Sequence, residues 1–358
     1  MTKVQGVGGS EQHLLALLPA LRERGVDARF LSLDAGGDAE RFHRALEERG
    51  IPWQRVPCRL DVSPLLAGRV VRALSKERPD LVHTHMVHAD AYGSFGAHML
   101  RTPFVSTRHN DDRYLLGPFR YVDRALMHGV RRIVAISDAV RAFHVRSGLP
   151  AEKLVTIHYG LDEPPTEPSE VTPEQAGVPE GVPLVVAVGR LIAQKDHATL
   201  LAAFARVRES HPDARLAILG WGPLEQATKE HAAALGLDGS VLVPGRVEPR
   251  DWLARADVFA HTSRWEGFGI VLLEAMHSRL PIVATNVSAI PEIVADGTTG
   301  YLAPPGDVGA IAKRLSQLLA DPELRRSLGD AGRARARAEF SVAHMTEQTL
   351  AVYEEVLR

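Results

Sequence analysis

The chain has 358 residues, more than one hydrophobic core usually holds, so its length predicts two domains. Its 42 basic and 44 acidic residues nearly cancel, which excludes a nucleic-acid partner held by overall charge and means that any bound anion is recognised by local groups. Cys58 is the single cysteine, which excludes an internal disulfide framework and predicts a reducing, cytoplasmic setting.

The first predicted element is a glycine-rich loop at residues 6–10, followed by an apolar helix at about 11–24. A Rossmann-type domain normally has a buried strand directly before such a loop. Because very few residues precede this loop, we expect a truncated first strand and a natural start upstream of Met1. A genuinely shortened first strand is the alternative.

The elements that follow alternate between apolar, β-branched segments and helical patterns, which is typical of parallel sheets covered by helices. Helices are predicted, for example, at 197–208 and 308–319. Strands are predicted at 28–33, 81–85, 104–107, 133–136, 154–158, 184–189, 215–219, 241–243, 258–261 and 282–285.

The segment 163–183 interrupts this alternation with six prolines, five glutamates and no lysine or arginine. Such a composition predicts an exposed linker or hinge. We therefore predict an α/β fold with two doubly wound, Rossmann-like parallel-sheet domains, at 1–162 and 184–338, that face a central cleft. The ligand is expected in that cleft, at the carboxyl ends of the strands.

A basic segment runs from Arg113 to Arg146, with seven arginines against two aspartates, Asp123 and Asp138. No apolar run in the sequence reaches the roughly 18 residues that cross a bilayer. The segment is therefore either a solvated basic face or a patch in peripheral contact with the inner face of a membrane.

Histidines lie at the ends of two predicted strands in the first half. The spacing of His83, His85 and His88 resembles a metal-binding cluster, which keeps a metallohydrolase open as one alternative. An ordinary polar strand end is the plainer interpretation. His109 ends the next strand along the chain, so His85 and His109 are expected to face the same cleft.

Gly189 ends a predicted strand in the second half, and Arg190 and Lys195 follow just before a helix. Two cations and helix-start N–H groups at this edge suit a diphosphate, whereas a turn with two solvated charges is the alternative. Only six of the basic residues are lysines, which favours a chemical role for Lys195. Turns at Gly220 and Val247 are weaker candidates for ligand contact.

Residues 265–276, WEGFGIVLLEAM, place Glu266 in a loop and Glu274 about two turns into a helix. A rise of 1.5 Å per residue separates the two by roughly 10–12 Å. Glycosidase carboxyl pairs lie about 5–9.5 Å apart, so one ligand with hydroxyl groups at both ends fits better. Gly267 and Gly269 allow the backbone to approach that ligand. The alternative is that neither glutamate binds a ligand, with one capping the helix and the other forming a salt bridge.

Together these motifs resemble the retaining glycosyltransferases of family 4, also described as glycosyl transferases group 1, which have the GT-B fold. The motifs occur in the family's order along nearly the whole chain. The most specific part lies between 263 and 302. The motifs are Gly8-Gly9-Ser10-Glu11, His83-Thr84-His85, Gly189-Arg190 with Lys195, and Glu266 and Glu274 followed by residues 281–285.

The resemblance implies a nucleotide diphosphate sugar, such as a UDP- or GDP-sugar, as the donor, with no cofactor and no metal. It implies that Arg190 and Lys195 neutralise the leaving diphosphate, that Glu274 holds the ribose, and that Glu266 binds the donor sugar. Further donor contacts are implied at Gly8, Gly9, Gly189, Gly220, Val247, Gly267, Phe268 and Gly269.

For the first half, the resemblance implies that His85 contacts the donor sugar near its reacting carbon. His109 competes with it for the sugar or acceptor side. The helix at 342–357, within the segment 339–358, is implied to cross back onto the first domain. The acceptor stays unidentified, and a non-catalytic nucleotide-sugar-binding protein on the same scaffold is the alternative function.

Overall fold

The structure is a computed structural model, and it describes residues 1–4, 8–34, 39–58, 63–163 and 166–358. Gly6 of the predicted glycine loop and Pro164 and Pro165 of the predicted linker lie outside the described residues. The chain divides into two compact units. Unit 1 comprises Met1–Gly160 and Ser341–Arg358, and unit 2 comprises Leu161–Phe340.

Unit 1 is built on parallel strands, most of them largely buried, as in other sheets with helical crossovers. Ladder pairing gives the strand orders β1-β2-β3 and β4-β5-β6-β7. The strands are β1 (Thr2–Val4), β2 (Phe30–Asp34), β3 (Trp53–Pro57), β4 (Val82–His85), β5 (Phe104–Arg108), β6 (Arg132–Ala135) and β7 (Leu154–Thr156).

Met1 joins the two groups of strands. Its amino group donates to the carbonyl of His83 at 2.7 Å, and the N–H of His85 donates to the carbonyl of Met1 at 2.9 Å. Strand β1 therefore lies between β2 and β4, which gives the doubly wound order 3-2-1-4-5-6-7. A three-residue strand thus precedes the glycine loop. A cavity of about 660 Å³ lies beside Met1, lined by Leu14, Phe30 and Leu81 among others.

The helices of unit 1 show the expected period of 3.6 residues. In the first helix Leu14, Leu17, Leu18 and Leu21 form one buried stripe against the sheet. The helices that precede unit 2 are α1 (Gly9–Glu23), α2 (Ala39–Glu48), α3 (Pro64–Glu77), α4 (Val87–Leu100), α5 (Phe119–Leu126) and α6 (Asp138–Arg146).

Unit 2 contains a six-stranded parallel sheet of order β10-β9-β8-β11-β12-β13. The order reverses beside β8, and in such sheets the carboxyl ends of the strands at the reversal form the binding crevice. The strands are β8 (Leu184–Val188), β9 (Arg215–Leu219), β10 (Val241–Gly245), β11 (Val258–His261), β12 (Ile282–Thr285) and β13 (Gly300–Ala303).

Helices cover the sheet of unit 2 and bury a core that includes Phe204 and Leu315. They are α7 (His197–Ser210), α8 (Glu225–Ala234), α9 (Arg250–Arg255), α10 (Ile270–His277), α11 (Ile290–Ile293), α12 (Val308–Ala320) and α13 (Pro322–Glu339). The last helix, α14 (Val342–Leu357), belongs to unit 1, where Met345 and Val352 pack with Leu17 and Leu21 of α1. Each described helix is too short or too polar to span a bilayer.

The described part of the segment 163–183 is bonded to helix α9 and its neighbours. The N–H of Ser169 donates to the Asp251 carboxylate at 2.9 Å, and the Trp252 indole N–H donates to the carbonyl of Val171 at 2.8 Å. Arg255 donates to the carbonyl of Val182 at 2.7 Å. Hydrogen bonds therefore hold this segment against the rest of unit 2, and its role as a hinge stays a prediction.

Candidate functional site

Three loops meet at the carboxyl end of the unit 2 sheet, after β8, β9 and β10. The N–H of Gly189 donates to the carbonyl of Leu219 at 2.9 Å, and the N–H of Gly220 donates to the carbonyl of Gly245 at 2.8 Å. The three glycine turns that the sequence offered separately therefore lie side by side. Val247, two residues beyond Gly245, is half-buried at the same edge.

Two of these glycines have close neighbours, and glycine is required at Gly220. Gly220 has φ +150, and a Cβ there would lie 1.9 Å from the carbonyl oxygen of Gly189. A Cβ at Gly189 would lie 3.2 Å from Cε of Lys195. The absence of a side chain at Gly189 therefore lets the methylene chain of Lys195 run directly against the backbone.

Lys195 and Glu266 form an ion pair. The distance from Lys195 Nζ to Glu266 Oε2 is 2.6 Å, and each side chain is only 13% exposed. The same carboxylate oxygen accepts a hydrogen bond from Ser263 Oγ at 3.2 Å and lies 3.2 Å from His261 Nε2. The sequence predicted roles for Lys195 and Glu266 but not their direct contact.

This environment keeps Glu266 ionised. Burial alone would raise the pKa of its carboxyl group, but the Lys195 ammonium and the His261 hydrogen bond outweigh burial and hold the pKa well below its usual range. Burial and the Lys195 charge lower the pKa of His261. At neutral pH the cluster therefore holds one cation, one anion and one neutral imidazole.

Residues that the sequence analysis missed hold the ion pair in place. Thr262 Oγ1 donates to the carbonyls of Lys195 and Asp196, at 3.1 Å each. Arg264 Nε lies 3.0 Å from Asp196 Oδ2. The loop after β8 is thus bonded to the loop after β11. His261 and Thr262 stand at the carboxyl end of a strand, a position that favours functional residues and could have identified them.

Arg190 differs from Lys195 in its surroundings. Its side chain is exposed, and within the described ranges the guanidinium has no ion-pair or hydrogen-bond partner. The two predicted cations therefore lie at the same edge in different states, one compensated by Glu266 and the other open to solvent.

In the stretch 266–274, the position of Glu274 corrects the sequence analysis, and the burial of Phe268 adds to it. Helix α10 begins at Ile270, so Glu274 is its fifth residue, about one turn into the helix rather than two, and its side chain is buried. Phe268 is fully buried and packs edge-on against Phe340, with 6.0 Å between ring centroids. Its side chain belongs to the core, which leaves only its backbone for a ligand.

The two glycines of this stretch lie around Phe268. Gly269 caps α10 at φ +96, a conformation that favours glycine. Gly267 is buried. The backbone at 267–269 thus runs into the N-terminus of α10, where N–H groups and the helix dipole favour a negative ligand group.

In unit 1, Gly8 and Gly9 open helix α1. The N–H of Gly8 donates to the Glu11 carboxylate at 3.0 Å, and Ser10 Oγ donates to the same oxygen at 2.9 Å. Gly8 is exposed, whereas Glu11 is buried. The carboxylate of Glu11 therefore stabilises the helix N-terminus at which the resemblance implied a donor contact.

His85 and His109 lie within one buried cluster of aromatic rings. A hydrogen bond of 3.0 Å joins His85 Nδ1 to His109 Nε2, and another joins His109 Nδ1 to the Tyr159 hydroxyl. His13 stacks on Tyr159 with 4.5 Å between ring centroids. The two histidines that competed for one role are therefore direct neighbours.

Burial makes the histidines of this cluster neutral. It lowers the pKa of His13 to about 3 and those of His83, His85 and His109 well below the usual value, with further lowering from neighbouring positive groups for the last three. Burial also raises the pKa of Tyr159. The cluster can donate and accept hydrogen bonds, but it carries no charge at neutral pH.

Sequence profiles of two related families match the chain. The profile described as Glycosyltransferase Family 4 matches residues 7–163, and the profile described as Glycosyl transferases group 1 matches residues 169–335. The phosphatidyl-myo-inositol mannosyltransferase of Mycobacterium leprae is 30% identical over 98% of this chain and 93% of its own length. This chain belongs to the family 4 glycosyltransferases.

Other relatives of this glycosyltransferase differ in the reactions that their names describe. The alpha-maltose-1-phosphate synthase of Mycolicibacterium smegmatis is 31% identical over 78% of this chain and 80% of its own length. The N-acetyl-alpha-D-glucosaminyl L-malate synthase of Bacillus anthracis is 26% identical over 100% of this chain and 97% of its own length. The chain is thus a glycosyltransferase whose relatives have different products.

Solved structures agree on the fold of the glycosyltransferase. Anabaena HepE, solved in complex with UDP and glucose, superposes with a TM-score of 0.84 at 24% identity, over 99% of this chain and 98% of that one. Sucrose-phosphate synthase of Thermosynechococcus elongatus superposes with a TM-score of 0.78 at 21% identity, over 99% of this chain and 98% of that one. The two parallel-sheet units are therefore those of the GT-B fold.

The metallohydrolase alternative loses its ligand set in this structure. Both ring nitrogens of His83 are bonded, to the Tyr353 hydroxyl at 2.6 Å and to Thr107 Oγ1 at 2.7 Å. His88 contacts Tyr92 instead, with 5.4 Å between ring centroids. The described residues do bring Asp34, Glu40 and His43 together, but the guanidinium of Arg55 lies among them, with Nε 2.9 Å from Asp34 Oδ2.

Proposed function

We propose that this glycosyltransferase transfers a sugar from a nucleotide diphosphate donor, such as a UDP- or GDP-sugar, to an acceptor with retention of anomeric configuration and without a metal. The observation that carries the proposal is the Lys195–Glu266 ion pair against Gly189, next to the exposed Arg190. The description of HepE as a complex with UDP and glucose supports this class of donor.

The proposed chemistry uses fixed charges at the carboxyl end of the unit 2 sheet. Cleavage of the sugar–phosphate bond develops negative charge on the diphosphate and positive character on the sugar. Arg190 and Lys195 are proposed to stabilise the diphosphate, because cations that are already in place need no rearrangement as the charge develops. Acceptor attack on the face of the departing phosphate, with a phosphate oxygen taking the proton, preserves the configuration.

Glu266 is proposed to bind sugar hydroxyls and not to transfer protons. An ionised carboxylate accepts hydrogen bonds but donates none. A base whose pKa lies well below neutrality is also inefficient in proton transfer. Glu266 therefore orients the Lys195 ammonium and can accept hydrogen bonds from the donor sugar.

The remaining proposed roles follow the resemblance. Glu274 is proposed to bind the ribose, with backbone contacts at Gly189, Gly220, Val247 and 267–269. In unit 1, Gly8 and Gly9 are proposed to approach the donor, and His85 and His109 are proposed to bind the donor sugar or the acceptor as neutral groups. We also propose a cytoplasmic setting, with peripheral contact of unit 1 to the inner face of a membrane.

The donor proposal is tested by thermal unfolding with a panel of nucleoside diphosphates and their sugars. A ligand at 100 times its Kd stabilises the protein by about 2.7 kcal/mol. One nucleotide series is expected to raise Tm, and Glu274→Ala is expected to reduce that shift. Absence of a shift with every nucleotide would contradict the donor class.

Catalysis is tested separately by release of the nucleoside diphosphate from the stabilising sugar nucleotide. Donor binding without release in the presence of a broad acceptor set would favour the non-catalytic binding protein. Activity is expected to survive a chelator of divalent metals. Loss of activity on chelation, restored by added metal, would contradict the metal-independent reaction.

A further inference from the structure

We propose that the surface formed by Tyr114, Leu116, Phe119, Tyr121 and Val122, with Arg120 and Arg124, binds an anionic lipid bilayer. We call it the α5 face. This inference rests on the membrane contact proposed above and specifies the residues and the lipid charge involved. It does not depend on the transfer reaction.

The apolar residues of the α5 face are concentrated and exposed. The side chains come from the 3-10 turn Arg113–Leu116 and from helix α5, and each of the five is between 45% and 60% exposed. Large apolar side chains that lie together in solvent usually mark an interaction surface, whereas single ones are ordinary.

The α5 face has a rigid support. Leu115 in the same turn is fully buried. On the inner side of α5, the Asp123 carboxylate accepts a hydrogen bond of 2.7 Å from Nη2 of Arg108, the last residue of β5. Arg108 is itself fully buried. The exposed rings are therefore presented by elements that are fixed to the sheet of unit 1.

Contacts within the α5 face join Tyr114 to Phe119 and Arg120 to Tyr121. Tyr114 and Phe119 meet edge to face, with 5.5 Å between ring centroids. The Arg120 guanidinium lies 4.8 Å from the centre of the Tyr121 ring and donates to its hydroxyl at 2.8 Å. Aromatic rings with a polar edge next to arginine are typical of the region between lipid headgroups and acyl chains.

Positive charge predominates on the α5 face. Arg120 and Arg124 are exposed, as is Arg131 a little further along the chain. The single acidic residue between 114 and 131 is Asp123, which is buried against Arg108. Just before this stretch, the half-buried carboxylate of Asp112 interacts with the Tyr114 hydroxyl. The exposed charges of α5 itself are positive, and an anionic surface is their complementary partner.

Within the basic segment 113–146, the structure separates the arginines of the α5 face from arginines that are bonded to other parts of unit 1. Arg132 is paired with Glu355, with Nε 2.9 Å from the carboxylate. Arg141 donates to the carbonyl of Leu154 at 3.3 Å. These later arginines act within unit 1, whereas Arg120 and Arg124 adjoin the exposed rings.

A bilayer fits these features better than a protein partner. Apolar side chains can insert below the headgroups while arginines remain level with the phosphates, and binding needs no matching pocket. A protein partner would require an acidic, apolar surface of complementary shape. The predominantly positive charge and the exposed rings of the α5 face favour a lipid bilayer as the partner.

The test is flotation of the full chain with vesicles of phosphatidylcholine alone or mixed with phosphatidylglycerol. We expect binding to the anionic vesicles, weaker binding at high salt, and little binding to phosphatidylcholine alone. The double change Arg120→Glu and Arg124→Glu should weaken binding by at least about 30-fold, because each arginine near an anionic surface contributes about a factor of five. Phe119→Ser with Tyr121→Ser should also weaken it.

Matched controls are available elsewhere on the chain. Leu65→Ser removes an even more exposed apolar side chain from α3, and Arg326→Glu reverses an exposed arginine in unit 2. Both should leave vesicle binding unchanged. Nucleotide-induced thermal stabilisation, measured on every variant, reports folding independently of vesicle binding.

Insertion is tested with Phe119→Trp, whose emission should shift to shorter wavelength on anionic vesicles. Failure of the wild-type chain to float with anionic vesicles would overturn the proposal. So would unchanged binding by both double variants, or equal losses in the controls. Each of these results leaves the donor proposal standing, because that proposal is measured by nucleotide binding and release.

Discussion

The two units place polar clusters at equivalent edges of similar sheets, but the clusters differ in charge. In unit 2, Lys195, Glu266 and His261 combine a cation, an anion and a neutral ring within hydrogen-bond distance. In unit 1, His85 and His109 meet as neutral rings, and no described residue forms an ion pair with them. Burial is tolerated in unit 2 by pairing of charges and in unit 1 by loss of charge.

We propose that each unit binds the part of the donor that its charges suit. A diphosphate needs cations, and unit 2 presents Arg190 and Lys195 at the end of β8. Sugar and acceptor hydroxyls need neutral donors and acceptors, which the histidines of unit 1 can provide. Three substitutions test this division, beginning with the largest expected effect.

Lys195→Ala should lower turnover by about 100- to 1,000-fold, the usual cost of removing one group that stabilises developing charge. Binding of the free nucleoside should change little, because the ammonium is expected to act on the diphosphate. Steady-state kinetics and nucleoside binding measure the two effects. The control is Lys229→Ala, which removes an exposed lysine paired with Glu225 at 2.8 Å. Equal losses in turnover and in nucleoside binding would contradict the assignment.

Gly220→Ala should destabilise the protein by roughly 2–4 kcal/mol, because the added Cβ meets the Gly189 carbonyl and φ is unfavourable. Gly236→Ala is the matched control: φ is +68 there, and nothing lies within 4 Å of the added atom. It should cost only about 1–2 kcal/mol. Urea unfolding measures both. A Gly220 variant no less stable than the Gly236 variant would mean that the loops after β8 and β9 are not packed as described.

His13→Phe should make stability less dependent on pH. The pKa of His13 is about 3 in the folded chain and near 6.5 when unfolded, so its neutral form stabilises the fold fully above pH 6.5. As pH falls from 6.5 toward 3, this histidine binds a proton in the unfolded chain but not in the folded one. Each such histidine therefore lowers the free energy of unfolding by up to about 1.4 kcal/mol per pH unit. Urea unfolding of the variant between pH 7 and pH 5 should therefore show a shallower decline.

The control for this change is His231→Phe, at an exposed position of α8. It should leave the pH dependence of unfolding as it is in the wild-type chain. If His13→Phe kept the wild-type slope as well, the neutral cluster of unit 1 would not be a source of acid sensitivity.

Much of the fold could be predicted from the sequence, because buried parallel strands and amphipathic helices leave strong periodic signals. Strands near 104–107 and 184–189 and the helix at 342–357 lie within one or two residues of their predicted bounds. Strand β3 was missed because it is an edge strand that alternates with polar residues and ends in Pro57. Strand β13 was also missed. It begins with Gly300, a residue that is uncommon in strands, and a Cβ added there would lie 2.2 Å from the carbonyl oxygen of Ile282.

The roles assigned to the site residues stay predictions, whereas the structure shows contacts between them that the sequence did not predict. Lys195 and Glu266 are 71 positions apart, and they meet because β8 and β11 are neighbours in the sheet. A linear pattern carries no information on that pairing. The resemblance implied a donor contact through the backbone at 267–269, and the sequence did not show that the apolar ring of Phe268 packs into the core against Phe340.

The short strand β1 has a practical consequence for handling the protein. The amino group of Met1 lies inside the sheet of unit 1, bonded to the His83 carbonyl, and burial lowers its pKa to about 5. Any residue before Met1, whether natural or part of an added tag, would have to continue between β2 and β4. Arg358 is exposed and is the safer point of attachment for a tag or dye.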